Sequence, residues 1–274
     1  MEDAVKVPTV FITTYPDEAI KPREWFLKEA VNASKRNADY PCRIEVLSSM
    51  DSDPAKKNRA VEMAEDIFVL LHDDSKPAKG FLRNMVAELE WAEEYFKKPV
   101  IICPTDLPYF APESLLEEYP ELKPNRRLIT SRIEYERYCR RYGIPFDGED
   151  LICKLPYRGP IRRSGTPVTD DGHTLIIFCS RKRTMQIVGP CEEWSGSGYY
   201  DMDWGLRALT KGVKVLQSHT TYVMHLYGLS FGYRIKRYHS NRDRFIEKWG
   251  IEFYRRVHDG TKWIELHEEQ LSKN

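Results

Sequence analysis

Two short stretches of the sequence bring carboxylates together beside apolar runs. In IFVLLHDDS, residues 67–75, a run fit for a buried strand ends at His72, and Asp73 and Asp74 follow at once. If the chain stays extended there, neighbouring side chains leave on opposite sides. The two acids can then hold separate duties, one on a sugar hydroxyl and one on a hard divalent cation, Mg2+ or Mn2+. HDDSKP is also rich in turn formers, and on its own the motif reads as a solvated turn.

The second stretch is GSGYYDMDWGLR, where Asp201 and Asp203 open a helix after a glycine-rich loop. Capping and the helix dipole account for acids in a first turn, and Arg207 lies four residues after Asp203 for an ordinary ion pair. A carboxylate placed beside a hydroxyl can instead act as a general base. Upstream, Glu192 and Glu193 in GPCEEW are either exposed loop acids or groups that reach a substrate. His225 ends the apolar run TYVMH and suits either a metal or a structural hydrogen bond. His72 is expected simply to pack, His219 is less well placed, and His239 lies in a basic stretch that reads as a solvated face or as a lid over phosphates.

The elements that must position these groups alternate along the first hundred residues. Strands are predicted at Val7–Thr13, Arg43–Leu47, Ile67–Leu71 and Val100–Cys103. Helices are predicted at Arg23–Arg36, from Asp53-Pro54 to about Glu65, and at Phe81–Phe96. This β-α-β order predicts an α/β fold with a mostly parallel sheet flanked by helices, whose ligands sit at the carboxyl ends of the strands. Residues 104–172, with recurrent proline, tyrosine and arginine, read as an irregular insertion over the sheet carrying one helix at Ser131–Arg141. Strands are expected again at Thr174–Ser180, Val213–Gln217 and Thr220–His225. A helix is expected at Asp201–Lys211, and C-terminal helices at His239–Trp249 and Ile251–Gln270. The expectation is one domain over 1–274, in four stretches: 1–103, the insertion (104–172), 173–238 and a helical segment (239–274).

Composition narrows the classes. With 42 Lys+Arg against 42 Asp+Glu, the net charge is zero, which argues against a general nucleic-acid binder. The six cysteines form no C-x-x-C pair, so zinc-finger spacing is absent and buried thiols in a reducing compartment are expected. No apolar run is long enough for a transmembrane segment, and MEDAVKVPTVF does not read as a signal peptide. The expected location is cytoplasmic, with peripheral docking at a membrane as an open alternative.

KNRAVEMAEDIFVLLHDDSKPAKGFL resembles the segment around the DXD-like motif of family 2-type glycosyltransferases with the GT-A fold (nucleotide-diphospho-sugar transferases). VFITTYPDE resembles their first strand and loop, VGPCEEWSGSGYYDMDWGLRALTKGVKVLQSHTTYVMH their second half, and RFIEKWG a segment near their C-terminal end. The pieces occur in the family's order and leave only 104–172 uncovered. The resemblance implies a metal-dependent transferase with an Mn2+ or Mg2+ cofactor. The donor would be a UDP- or GDP-sugar, and the acceptor a glycan, a lipid-linked group or a protein. It implies that Asp73 holds the donor ribose and that Asp74 and His225 bind the metal. Thr13, Tyr15, Ser49 and Asn58 would line the nucleotide site, with Lys57 beside them. Asp201 would be the general base of an inverting transfer, and Glu192 and Glu193 would approach the acceptor. The family's base-reading acid is replaced by Ser48 and Ser49. A retaining transferase, a nucleotidyltransferase or a non-catalytic nucleotide-sugar-binding protein are the alternatives on the same fold.

Overall fold

A computed structural model describes residues 7–14, 22–49, 51–123, 125, 127–144, 146, 175–194, 199–226 and 235–251, with the backbone alone at 219 and 235–240. Strands β1 (Thr9–Thr14) and β3 (Ile67–His72) are apolar on both faces, as strands covered by helices on either side must be. They pair in parallel, and β2 (Arg43–Ser48) adds a half-exposed edge beside β1. The sheet continues through β8 (Phe178–Arg181), β5 (Val100–Leu107), β9 (Lys214–His225) and β4 (Ser75–Pro77), in the order β2-β1-β3-β8-β5-β9-β4. The β1–β2, β1–β3 and β5–β9 pairs are parallel, and β8 and β4 run antiparallel to their neighbours. The mostly parallel α/β sheet expected from the sequence is therefore present, with one antiparallel strand wedged between β3 and β5.

The alternation of a strand divides the core between the two faces. Phe11, Phe68, Leu70 and Ile101 point to one side, where α2 (Asp53–Met63), α6 (Lys182–Val188), α7 (Tyr200–Thr210) and α8 (Ile235–Trp249) supply Ala60, Met185, Trp204 and Phe245. Val10, Ile12, Val69, Leu71 and Ile102 point to the other, toward Ala30 of α1 (Arg23–Asn37) and Phe81, Met85 and Leu89 of α3 (Phe81–Phe96). On the first face Phe11, Phe68, Phe178 and Trp204 form an edge-to-face series with ring centroids 6.1, 5.8 and 5.6 Å apart, a favourable aromatic arrangement.

Several elements depart from expectation for local reasons. β5 runs past Pro104 to Leu107 because the strand shifts register between Cys103 and Thr105, where a residue without an N–H is tolerated. The two strands expected at 213–225 are one. Ser218 Oγ accepts from the Thr220 and Thr221 N–H groups, and Thr105 Oγ1 donates to Ser218 O at 2.6 Å, which carries β9 through its irregular middle. The insertion is more built than expected as far as residue 146. It contains a two-strand parallel pair, β6 (Tyr109–Phe110) and β7 (Leu128–Ile129), with α4 (Glu113–Glu118), a 3-10 turn at Pro120–Leu122 and α5 (Arg132–Arg141). Tyr109, Leu115, Leu122, Tyr135 and Cys139 make a third core with Phe26, Met224 and Leu226. The helix expected at Ile251–Gln270 lies, beyond Ile251, outside the described residues. Among the described residues no helix is long and apolar enough to cross a membrane.

Phe178 is fully buried between Phe68 and Trp204. Phe178→Ala should cost about 3–5 kcal/mol of stability, read as a lowered urea midpoint at unchanged slope.

Candidate active site

β3 ends at His72, and Asp73 and Asp74 follow it in a turn. His72 meets Asp53 of α2, and Asp73 meets Arg23 of α1. Asp73 is held there. Its N–H donates to Thr13 O at 3.1 Å, its Oδ2 accepts from Thr14 Oγ1 at 2.6 Å, and Arg23 of α1 lies 3.1 Å from the same oxygen. Burial raises the Asp73 carboxyl above the ordinary range, with Arg23 opposing and Asp74 adding to the rise. Thr13 is buried and donates to Leu71 O, so Thr14 rather than Thr13 reaches the acid. Tyr15 lies outside the described residues. Ser49 follows β2, half-buried, on the same sheet edge as the end of β1, since Ser48 stands opposite Thr14.

Asp74 turns the other way. The three-residue strand β4, not foreseen from the sequence, pairs Ser75 with His225, and the Leu226 N–H donates to Asp74 O at 3.1 Å. Asp74 Oδ1 is thereby 3.1 Å from His225 Nε2, while His225 Nδ1 is 3.6 Å from Asp106 Oδ2. Burial disfavours the charged ring, but Asp74 and Asp106 more than offset it and raise the His225 pKa to about 10. Against the same burial, His225 holds the Asp74 carboxyl below its usual value. The His72 ring meets the His225 ring nearly edge-on at 5.6 Å. His72, Asp74 and His225 each offer a ligand atom, all within 4.8 Å of one another. His72 was expected only to pack; its place beside Asp74 and His225 depends on the pairing of β4 with β9, for which the sequence carries no local signal.

Helix α2 supplies the next layer. Ser52 is its cap, accepting from the Ala55 N–H at 3.1 Å, and Asp53 is the first helical residue. Asp53 Oδ2 accepts from Tyr200 Oη at 2.6 Å and lies 3.7 Å from Lys57 Nζ and 3.6 Å from His72 Nε2. Burial opposes ionisation of Asp53, but His72, Lys57 and the Tyr200 hydroxyl together hold its carboxyl well below the usual range. Burial takes His72 down to about 4, against the pull of Asp53. Lys57 is wholly buried, donates to Leu175 O at 3.0 Å and stands 5.0 Å from the Tyr200 ring centre. Asn58 spends both ends of its amide on the Cys191 backbone, donating to its O at 2.9 Å and accepting from its N–H at 2.7 Å.

The second acidic cluster divides as the first does. Asp201 is 6% exposed, accepts from the Met202 N–H at 3.0 Å, and is raised by burial against the opposing pull of Lys57. Asp203 is fully buried and structural: Arg207 Nε and Trp249 Nε1 each donate to it at 3.0 Å, and Lys248 Nζ lies 2.8 Å away. Glu192 pairs with Lys248 and Arg244 of α8, and Glu193 contacts Ser52 while its O accepts from Arg244. Both thus join the loop 189–194 to neighbouring helices. The side chains of His219 and His239 lie outside the described residues.

Solved structures similar to this chain include glycosyltransferases. GalNAc-T7, crystallised with UDP, GalNAc and Mn2+, is 12% identical with a TM-score of 0.49, over 90% of this chain and 49% of that one. S. aureus TarS is 10% identical (TM-score 0.44) over 79% of this chain and 60% of its own solved chain. The catalytic domain of Drosophila β1,4-galactosyltransferase 7, in complex with xylobiose, is 13% identical (TM-score 0.43) over 85% and 74%. The chain thus spans about half the length of the first and less than two thirds of the second. No protein-family model and no curated protein sequence matches.

The two histidines set a pH dependence for the metal-free protein. His72, lowered to about 4, refuses a proton that the unfolded chain takes up below 6.5, so its contribution is lost as pH falls from 6.5 toward 4. His225, raised to about 10, keeps a proton that the unfolded chain gives up, so its contribution is lost as pH rises from 6.5 toward 10. Asp73, raised to about 6, takes up a proton in the folded state over the same acid interval and offsets the His72 loss. Melting temperature measured in EDTA should therefore fall chiefly as pH rises from 6.5 toward 10, and His72→Gln should raise it relative to wild type on the acid side.

Proposed function

We propose that the chain is a metal-dependent glycosyltransferase that moves a sugar from a nucleotide-diphosphate donor, a UDP- or GDP-sugar, to an acceptor hydroxyl. The observation that carries this reading is the convergence of His72, Asp74 and His225 at the carboxyl end of β3, in a chain whose motifs follow the glycosyltransferase order. Two imidazoles and one carboxylate suit Mn2+ better than Mg2+, which prefers an all-oxygen shell. His72, Asp74 and His225 would hold the ion. Asp73 stands apart from it, facing Arg23, Thr14 and the ends of β1 and β3, where it would meet the donor ribose beside Ser49. Tyr15 and Thr13 complete the nucleotide side of this reading.

A bound divalent ion supplies positive charge to the diphosphate leaving group as charge builds there. The residues of the chain do the rest. The acceptor oxygen attacks the anomeric carbon, the bond from that carbon to the diphosphate oxygen breaks with its electron pair leaving on the diphosphate, and Asp201 takes the acceptor proton. A carboxyl raised by burial is a better base than an exposed one. Attack from the face opposite the leaving group inverts the anomeric centre. Glu192 and Glu193, which anchor the loop 189–194, lie toward the acceptor side in this reading, as does the insertion.

The test is turnover of UDP-, GDP- and dTDP-sugars with Mn2+. Donor hydrolysis should be metal-dependent and should fall at least about 100-fold in Asp74→Ala and His225→Ala. Asp201→Asn should lower transfer by about 100- to 10,000-fold and leave donor affinity, measured by calorimetry, unchanged. A wild-type protein that neither binds nor turns over any donor sinks the enzymatic reading; binding without turnover supports a nucleotide-sugar-binding protein.

A further inference from the structure

Asp53 takes no part in the chemistry above, yet three elements meet at its carboxylate. His72 comes from the end of β3, Lys57 from the next turn of α2, and the Tyr200 hydroxyl from the first residue of α7. The cap geometry permits this. Because Ser52 satisfies the helix end, the Asp53 side chain is free to turn inward, where it is 6% exposed. Lys57, itself anchored on Leu175 O, balances the charge. The convergence of His72 and Tyr200 on the same carboxylate has a geometric consequence as well.

A histidine that ligates a metal through one nitrogen depends on a partner at the other nitrogen to set its ring and tautomer, very often a carboxylate. His225 has such a partner in Asp106. For His72 the carboxylate alongside is Asp53, at 3.6 Å from Nε2. The other arm reaches the candidate base. Tyr200 directly precedes Asp201, and the residue before it, Tyr199, sits in the left-handed region at φ 67°, unusual for a residue with a side chain. The start of α7 is thus a turn that needs outside support. It receives it from the bond of Tyr200 Oη to Asp53 and from the Tyr199 ring against Phe245, 5.4 Å between centres.

We propose that Asp53 is a positioning residue that sets His72 for a divalent cation and, through the Tyr200 hydroxyl, ties that ligand to the turn carrying Asp201. This rests on the metal reading of the His72–Asp74–His225 cluster given above. It makes the metal side and the base side of the site one unit, joined at a single carboxylate. A change at Tyr200 then reaches the metal through Asp53.

The experiment is Mn2+ titration of the full chain without donor, with free Mn2+ followed by electron paramagnetic resonance and imidazole nitrogen on the bound ion by electron spin-echo modulation. Wild type should bind with coupling from two imidazole nitrogens. Asp53→Asn should weaken binding about 10- to 100-fold and alter one of the two nitrogen couplings. Tyr200→Phe, which removes only the hydroxyl that holds Asp53, should weaken it about 2- to 10-fold. A merely structural role would lower the melting temperature without changing the nitrogen signals. If both variants bind as tightly as wild type with unchanged couplings, the positioning role is overturned and the metal site stands. If wild type binds no Mn2+, both readings fall. Should Asp53→Asn not fold, Tyr200→Phe decides, and wild-type affinity in it overturns the proposal.

Discussion

Burying Asp53, Asp73 and Asp74 around the end of β3 is possible only because each has a cationic partner from a different part of the chain. An unpaired carboxylate in such a place would shift its pKa and neutralise. Arg23 of α1 serves Asp73, His225 of β9 serves Asp74, and Lys57 of α2 serves Asp53. The pairing also resolves the repulsion between adjacent acids. Asp73 and Asp74 turn to different partners, and burial with those partners moves their ionisation in opposite directions. The geometry of the site follows from these obligations: α1 and α2 must start where they do, and β9 must end where it does.

The opposite wall obeys the same rule by other means. Asp203 is saturated by Arg207, Lys248 and Trp249, so α7 cannot rotate without breaking its attachment to α8. Arg244 extends the attachment to the loop before α7, lying over the Trp194 ring at 4.7 Å and donating to Glu192 Oε2 at 3.2 Å. Asn58 holds the same loop from the α2 side. Asp201 is thus presented by a helix whose start, flank and preceding loop are each tied to a neighbour. A carboxylate held in this way keeps its position with little reorganisation.

Much of the fold was legible from period alone. The apolar runs at 7–13, 67–71 and 100–103 and the helical spacings at 23–36 and 81–96 need no partner to be recognised, because their patterns reflect burial on two faces or one. Asp203 was read correctly as structural from its spacing to Arg207. Less was legible where the outcome depended on a distant partner. The single bent strand 214–225 is held through its middle by Thr105 and Ser218, and β4 exists only as a partner of β9. The insertion looked irregular because its prolines interrupt any pattern, yet Tyr109 and Tyr135 pack against Phe26 and Met224.

At the site, the sequence by itself determined that carboxylates would stand at the carboxyl end of an inner strand, which follows from the local pattern of the apolar run. It left open whether the chain there stays extended or turns; it turns. It could not determine which of His72, Asp73 and Asp74 face His225, since that depends on the register between β4 and β9 and on which helix covers each face of the sheet. Tertiary structure turned Asp73 to Arg23, brought His72 and Asp74 together with His225, and joined Asp53 to Tyr200 across the core. The physical reason is that alternation along a strand is a property of a few covalent bonds, whereas the pairing of buried charges is decided only when distant elements have closed around them.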